Sequence, residues 1–262
     1  MGEKPKTTAK TTETSLEVVN AIIELSGATT DELSEYLGLS TSTVHRHLLT
    51  LQNYSYVVRN GSEYEIGLQF LTIGGYARFK FRGFPIIKQK VDQLAKESGE
   101  RAQFIVEEQG ERIYLYTQVG ESAVQTGAYP GKRGPMHTSA AGKAILANIN
   151  RKSVDKIIDE HGLSETGPNS IDNREDLFDE LELIRDQGYA TNKQETSSGV
   201  RAIGSAVVSE NNDVIGALSI SGPANRITGD RFNEILPNKI LGTVNEIELH
   251  IEHSTYSNQP GR

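Results

Sequence analysis

Residues 29–51, TTDELSEYLGLSTSTVHRHLLTL, have the pattern of two short amphipathic helices joined by a tight turn. Thr29 and Glu32 have the spacing of a capping box, in which each side chain accepts a hydrogen bond from the other residue's backbone N–H. Gly38 is suited to end the first helix, because glycine readily takes the left-handed conformation that turns the chain. The stretch therefore predicts a helix-turn-helix.

The second of these helices, which Ser40 can cap, carries short polar groups away from its apolar stripe. The apolar positions, spaced for one buried face, are Val44, Leu48 and Leu51. The polar positions are Thr41, Ser42, Thr43, His45 and Arg46. Such groups reach base edges and phosphates in the major groove, and arginine can bind guanine with two hydrogen bonds. These five residues are predicted to contact DNA.

A helix before this pair and a hairpin after it complete the N-terminal module. The first helix, over residues 15–25, has apolar positions at Leu16, Val19, Ile22 and Ile23. Asn60-Gly61 lies between two strand-like segments, and this dipeptide is a strong hairpin signal. Three helices followed by a hairpin predict a winged helix over residues 15–67. Arg59, near the tip of the wing, is predicted to meet the phosphate backbone.

The charge balance limits how this module could hold DNA. The formal net charge is −8, and residues 1–82 hold eight Lys and Arg against nine Asp and Glu, about −1. That argues against electrostatic attraction of DNA or an anionic membrane by the whole molecule. DNA binding then depends on a locally basic surface and on base contacts. A winged helix that contacts only proteins, and a plain helical bundle, stay open as alternatives.

A linker helix is predicted over residues 68–83, where the chain is mostly apolar and aromatic with Gly74-Gly75 in the middle. Two adjacent glycines cost a helix about 2 kcal/mol relative to alanine. This favours a hinge, at which two domains could reorient, over a plain core helix.

Beyond the linker, strand-like and helical segments cluster rather than alternate, which favours an α+β domain over a doubly wound one. Strands are predicted at 102–106, 112–118, 122–126, 200–208 and 214–221. Helices are predicted at 85–98, 139–148, 153–160, 174–187 and 230–252. The predicted domain spans residues 84–254. Flexible tails are expected at 1–14 and 255–262.

Three ordered motifs resemble the isocitrate-lyase-regulator (IclR) family of transcriptional regulators. They are LSTSTVHRHLLTL (39–51), GKRGPMHTSAAGKAILA (131–147) and the run from Glu195 through SGVRAI (198–203) to GALSISGP (216–223). The resemblance implies a homodimer or tetramer that reads a palindromic operator in double-stranded DNA. It also implies a GAF-like effector domain, a curved antiparallel sheet flanked by helices, that binds a small organic molecule. The protein would repress or activate a catabolic operon.

Small and hydroxyl-bearing residues mark a candidate effector site. Ser139-Ala140-Ala141 begin a helix, where exposed N–H groups attract anions and small side chains admit a ligand. Ser219 and Ser221 alternate along one strand and so share a face of the sheet. Such groups would suit a carboxylate or sugar-acid effector, although without the resemblance packing and capping would be the favoured explanation. The predicted effector-binding residues are Ser139, Ala140, Ala141, Asn192, Ala202, Ser219 and Ser221.

Other functional classes find little support. His137 and Ser139 could be imagined as base and nucleophile, but the sequence lacks the nucleophile-elbow, zinc-protease, Walker and dinucleotide-binding motifs. It contains no cysteine, which excludes disulfides and thiolate chemistry. No apolar run approaches the about 20 residues of a membrane span. We expect a cytoplasmic protein that is not an enzyme and that needs no metal or cofactor.

Overall fold

The computed structural model describes residues 8–123 and 127–257, and the chain divides into two compact units. The first unit ends at Lys80 and the second begins at Phe81. Within the described ranges, no helix combines the length and the apolar character needed to cross a membrane.

The N-terminal unit is a winged helix-turn-helix followed by one further helix. Its elements are α1 (Lys10–Glu24), β1 (Ala28–Thr29), α2 (Thr30–Leu37), α3 (Thr41–Asn53), β2 (Val57–Asn60), β3 (Glu63–Ile66) and α4 (Gln69–Phe79). The three strands form an antiparallel sheet in the order β1-β3-β2. The predicted capping box is present between Thr29 and Glu32, and Gly38 has a φ of 65° in the left-handed region.

The core of this unit is entirely apolar apart from one tyrosine ring. Side chains from α1, α2 and α3 pack together and against the small sheet. The buried residues are Val18, Ala21, Ile22, Ala28, Leu33, Val44, Leu48, Val57 and Tyr64. The helical spacing in the sequence predicted Val44 and Leu48, the α3 members of this core.

Two boundaries in this part of the chain differ from the prediction. The expected flexible tail over residues 1–14 is wrong for its last five residues, because α1 begins at Lys10. The hydroxyl of Thr14 donates to the carbonyl of Lys10 at 3.0 Å, so a polar threonine-rich segment still satisfies its groups within a helix. Helix α4 covers residues 69–79 of the predicted linker helix and continues without interruption through Gly74-Gly75. Gly83, with a φ of 75°, precedes the next helix in a left-handed conformation.

The second unit contains a six-stranded antiparallel sheet. Its elements are α5 (Phe84–Ser98), β4 (Arg101–Glu108), β5 (Glu111–Gln118), β6 (Arg133–Pro135), α6 (Ala140–Asn148), α7 (Arg151–His161), α8 (Arg174–Gln187), β7 (Ala190–Lys193), β8 (Val200–Val208), β9 (Val214–Pro223), a π-helical turn (Arg231–Ile235) and α9 (Leu236–Ser257). The strand order is β6-β5-β4-β9-β8-β7. Register shifts leave Leu115 of β5 unpaired opposite β4 and Ile215 of β9 unpaired opposite β8, and they mark bulges, which bend strands and increase their twist.

Helices cover both faces of this sheet, so that alternate residues of each strand enter two different cores. Phe104, Ile203 and Leu218 pack with α5 and α9. Their neighbours Ile105, Ala202 and Ala217 pack with α6, α7 and α8. This arrangement confirms the predicted α+β class with an antiparallel sheet flanked by helices.

Short or irregular elements account for the remaining differences. β1, β6 and β7 were not predicted, because segments of two to four residues are too short to display an alternating pattern. In the strand expected at 122–126, Ser122 and Ala123 are not extended ladder residues, and 124–126 lie outside the described residues. Helix α9 runs to Ser257, so the first three residues of the predicted tail at 255–262 are helical.

Candidate DNA-binding face and effector cavity

Helix α3 buries one side and exposes the side predicted to contact DNA. Val44 and Leu48 are fully buried in the core of the N-terminal unit. Of the predicted contact residues on this helix, Thr43 is half-buried, and the exposed ones are Thr41, Ser42, His45 and Arg46. The helix therefore offers a continuous polar surface at its N-terminal half.

The polar residues of α3 differ in what they already bind. The backbone N–H of Thr43 donates to the Ser40 hydroxyl at 3.3 Å, and the two hydroxyls lie 2.8 Å apart, so Thr43 belongs to the helix cap. His47 lies 2.8 Å from the Ser15 hydroxyl through its Nδ1 and links α3 to α1. Across the described parts of the chain, the guanidinium of Arg46 forms no hydrogen bond or ion pair. Arg46 is thus exposed and has all of its donors available.

Arg59 lies on the wing strand β2 and is held at the hairpin turn. Its Nε donates to the carbonyl of Gly61 at 3.0 Å, and its guanidinium lies 5.6 Å from the centre of the Tyr64 ring. The side chain remains exposed. Its position is fixed while its terminal nitrogens face solvent.

In the second unit, all seven residues predicted for the effector site line one cavity of about 300 Å³. The structure therefore brings together side chains from α6, β7, β8 and β9 that are up to 82 positions apart in the sequence, from Ser139 to Ser221. Polar residues of the wall that the sequence reasoning missed are Gln103, Arg112, Tyr114, Lys132, Thr196 and Ser197.

Small residues set the shape of this cavity. A Cβ atom on Gly204 would lie 2.6 Å from the backbone nitrogen of Ala141, so the start of α6 rests directly on β8. Ala202 faces the cavity two residues along the same strand and pairs with Ser221 of β9. The absence of a side chain at Gly204 permits this close contact between helix and sheet.

Several of the predicted polar residues are already engaged within the protein. The Ser139 hydroxyl accepts a hydrogen bond from the Gly142 N–H at 3.0 Å, and Ser219 donates to the Ile203 carbonyl at 3.0 Å. The Asn192 amide donates to the Thr138 carbonyl at 2.9 Å. These residues therefore combine a structural role with their place in the cavity wall, as the packing and capping alternative anticipated.

Two missed residues are less completely satisfied. Arg112 is 5% exposed; its Nε donates to the Pro135 carbonyl at 3.0 Å, while its Nη1 has no hydrogen-bond partner among the described residues. Gln103 donates from Nε2 to the Ser221 hydroxyl at 3.0 Å, and its Oε1 is buried without a partner in the same part of the chain. The cavity wall thus contains a buried cation and a buried amide oxygen.

A cluster of buried charged side chains is centred on Lys143 of α6 and lies outside the cavity wall. The ammonium of Lys143, 1% exposed, lies 2.8 Å from Glu180 Oε1 and 2.7 Å from Glu195 Oε2. Burial raises the pKa of Glu195 above its usual value, although Lys143 acts in the opposite direction. This cluster holds α6 to α8 and to the loop after β7.

His137 and Ser139 do not form a catalytic pair. Burial, together with the charge of Lys143, lowers the pKa of His137, whose Nε2 lies 3.0 Å from the Ser164 carbonyl. Ser139 caps α6 instead of bonding to this imidazole. In the described part of the chain, no cluster of three or more His, Asp or Glu side chains could hold a metal ion.

Comparison with known proteins identifies both units. Residues 12–61 match the IclR helix-turn-helix domain, and residues 84–248 match the C-terminal domain of the bacterial transcriptional regulator IclR. The chain belongs to the IclR family. A probable HTH-type transcriptional regulator, ArcR of Halobacterium salinarum, is 32% identical over 241 residues, 90% of this chain and 92% of its own length.

Solved IclR-family structures have the same fold. The IclR of Thermotoga maritima is 24% identical, with a TM-score of 0.79 over 92% of this chain and 98% of its own. An IclR homologue of Microbacterium hydrocarbonoxydans, crystallised with 4-hydroxybenzoate, is 20% identical, with a TM-score of 0.77 over 91% and 99% of the two chains. The protein is therefore a DNA-binding transcriptional regulator with an effector-binding C-terminal domain, and not an enzyme.

The sequence of this IclR-family domain contains only a weak signal for the cavity-wall residues that were not predicted. Gln103 and Ile105 alternate along β4, so a polar side chain occupies a position that faces inward. In the sequence, Arg112 follows the Gly110 turn at the start of β5 and resembles an ordinary solvent-exposed residue at the end of a strand. Only the pairing of β5 with β4 and β6 reveals that its side chain is buried.

Proposed function

We propose that this IclR-family protein represses or activates a catabolic operon by placing α3 of each subunit in the major groove of a palindromic operator. The observation that carries this proposal is the exposed guanidinium of Arg46, which has no partner among the described residues, on a helix whose opposite side is buried. Around it, Thr41, Ser42, Thr43 and His45 would contact bases or phosphates. Arg59 on the wing would contact the backbone.

Dimer formation is supported by the surface of α4. None of the residues of this helix is buried in the chain. Leu68 at its N-cap, Leu71 and Phe79 are 79%, 69% and 75% exposed, and at 100° per residue they share one face. Large apolar side chains grouped on one exposed helix face favour contact with a second copy, as a palindromic site requires.

The cavity of the second unit is the proposed effector site. Its volume suits a small organic acid or a sugar-derived acid, and a homologue with the same fold was crystallised with the aromatic acid 4-hydroxybenzoate. Ser139, Ala140, Ala141, Asn192, Ala202, Ser219 and Ser221 would form its wall. Effector binding would then change the arrangement of the two DNA-binding units through the 68–83 linker, a coupling typically worth about 1–3 kcal/mol.

Fluorescence anisotropy of a labelled duplex from upstream of the protein's own gene tests the DNA-binding face. Arg46→Ala should weaken specific binding by about 1–3 kcal/mol, because it removes contacts to a base edge. Lys10→Ala is the matched control, since it removes one positive charge from the same unit outside α3. Each titration is repeated at several salt concentrations, because phosphate contacts make the affinity depend on salt.

The same titration distinguishes DNA recognition by α3 from a winged helix that contacts only proteins. Equal affinity of Arg46→Ala and wild type for every bound duplex would exclude α3 as the recognition helix. Binding of a protein partner that survives Arg46→Ala, with no specific DNA binding, would favour a winged helix used for protein contacts, which the charge of about −1 over residues 1–82 leaves open.

A further inference from the structure

The buried charge of Arg112 in the cavity wall indicates which kind of ligand the cavity binds. We propose that Arg112 is the residue that selects an anionic effector, and that the effector is a small hydroxycarboxylate whose carboxylate pairs with Arg112 and whose hydroxyl binds Gln103. This inference rests on the proposed function of the cavity as the effector site. Neither residue was among those predicted from the sequence.

Arg112 is a buried cation that has no acidic partner in the part of the chain that the structure describes. It takes part in none of the ion pairs found among residues 8–123 and 127–257, and one of its terminal nitrogens, Nη1, is buried without a hydrogen bond. Its guanidinium instead lies 5.2 Å from the centre of the ring of Tyr114, which also lines the cavity. An uncompensated buried charge is costly, and an anionic ligand would supply the missing partner.

Two other buried charged residues of the same unit have partners of opposite charge. Glu100, 1% exposed, is paired with both Arg226 and Arg231, and Lys143 is paired with two carboxylates. At Glu100 and Lys143 the fold thus supplies counter-charges. That Arg112 faces a cavity without one favours a role in binding over a role in packing.

Gln103 adds the second polar contact. Its side chain is 4% exposed, lies on β4 in the same wall and holds Ser221 through Nε2, which leaves Oε1 buried and unpaired. A ligand hydroxyl can donate to this oxygen, whereas a plain hydrocarbon would leave it unsatisfied. One anionic and one hydroxyl group on a ligand of small size would satisfy both residues.

Isothermal titration of the full chain without DNA tests this assignment. The probes are glycolate, lactate and 4-hydroxybenzoate, each compared with its own amide and with its counterpart lacking the hydroxyl. Wild type should bind at least one of these acids, and its amide and its deoxy counterpart at least about tenfold more weakly, because a hydrogen bond to a charged group and a buried polar pair are lost. Arg112→Gln should bind the acid and its amide alike, and Arg112→Lys should keep part of the preference.

Arg133→Gln is the matched control, because Arg133 lies on the neighbouring strand β6, is exposed and pairs with Glu108 and Glu111. It should bind every probe as wild type does. The assignment is overturned if none of the acids saturates wild type at millimolar concentration, if wild type binds acid and amide equally, or if Arg112→Gln keeps the preference. The comparison of acid and amide on wild type needs no variant, so a misfolded Arg112→Gln would not obscure the answer.

The proposed function is tested separately with the same proteins. The control variant Arg133→Gln should bind the operator as wild type does in the absence of a probe, since Arg133 lies in the second unit and outside the cavity wall. If an acid binds through Arg112 but leaves the DNA affinity unchanged, effector control fails while the assignment of Arg112 stands.

Discussion

The two units of this regulator are stabilised in different ways. In the described residues up to Lys80, the core is apolar, and no charged side chain is buried. In the second unit, Glu100, Arg101, Arg112, Lys143 and Glu195 are all buried, alongside the apolar clusters on each face of the sheet. The first unit keeps Arg46, the arginine proposed to contact bases, in solvent. The second keeps Arg112 in a cavity wall.

This difference follows from what each unit would bind. A duplex is larger than the protein domain, so its contact groups belong on an exposed helix that needs only a stable apolar support. A small ligand is enclosed, so its contact groups are themselves buried, and buried polar groups require partners. The second unit should therefore be more sensitive to the loss of single polar or small residues.

The largest effect is expected from Lys143→Met. The substitution leaves Glu195 and Glu180 together without their cation, and breaking a buried pair on one side costs about 3–5 kcal/mol. The free energy of unfolding should be measured by urea denaturation of the full chain. Lys156→Met, which breaks an exposed pair with Glu160, should cost less than about 1 kcal/mol.

The pH dependence of the free energy of unfolding of Lys143→Met tests whether the lost charge causes the destabilisation. A carboxyl with a raised pKa binds its proton more tightly in the folded protein, so its contribution to stability is lost as pH rises through that raised pKa. Lys143 attracts the ionised form, and its removal raises the pKa of Glu195 further. The deficit of Lys143→Met should grow as the pH rises above the usual pKa of a glutamate and through the raised pKa of Glu195, and Glu195→Gln should reduce it. A deficit independent of pH would point to lost packing instead.

A smaller effect is expected from Gly204→Ala. The new Cβ would lie 2.6 Å from the nitrogen of Ala141 and 2.7 Å from the carbonyl carbon of Ala140, and backbone atoms of α6 cannot move without disturbing the sheet contact. Overpacking of this kind costs about 1–3 kcal/mol. Gly242→Ala in α9, where the added Cβ meets nothing within 4 Å, is the control and should not destabilise. Equal stability of the two variants would show that α6 does not rest on β8 this closely.

The predictability of the two units differs for the same physical reason. In the N-terminal unit, apolar residues repeat at helical spacing and turns carry their own signals, so the capping box at Thr29, the turn at Gly38 and the hairpin at Gly61 could all be predicted locally. The start of α1 could not, since Thr14 and its neighbours form a helix with no apolar stripe. In the second unit, residues 200–208 and 174–187 were predicted with the observed bounds, because they are long and regular.

The cavity was predictable only in part. The family motifs and the small residues of α6 and β9 pointed to positions that all lie in one wall. Gln103 and Arg112 could not be found this way, because their burial depends on which strands pair with β4 and β5. Strand pairing joins residues far apart in the sequence, and a single sequence contains no local record of it.

The smallest effect, and the one that bears most directly on the linker, is expected from Gly74→Ala and Gly75→Ala. Both glycines lie inside α4, and a Cβ added at either meets nothing within 4 Å. Alanine should therefore stabilise the helix by about 0.5–1 kcal/mol at each position. Thermal denaturation of the full chain, followed by far-ultraviolet circular dichroism, measures this gain.

The two positions differ in the face of α4 on which they lie. At 100° per residue, Gly75 falls on the exposed apolar face with Leu68, Leu71 and Phe79, whereas Gly74 falls to one side of it. If a second subunit covers that face closely, Gly75→Ala should weaken dimerisation in sedimentation equilibrium, and Gly74→Ala should not. A loss of stability in both variants, with dimerisation unchanged, would instead mean that the pair needs a non-helical conformation in solution, as the predicted hinge requires.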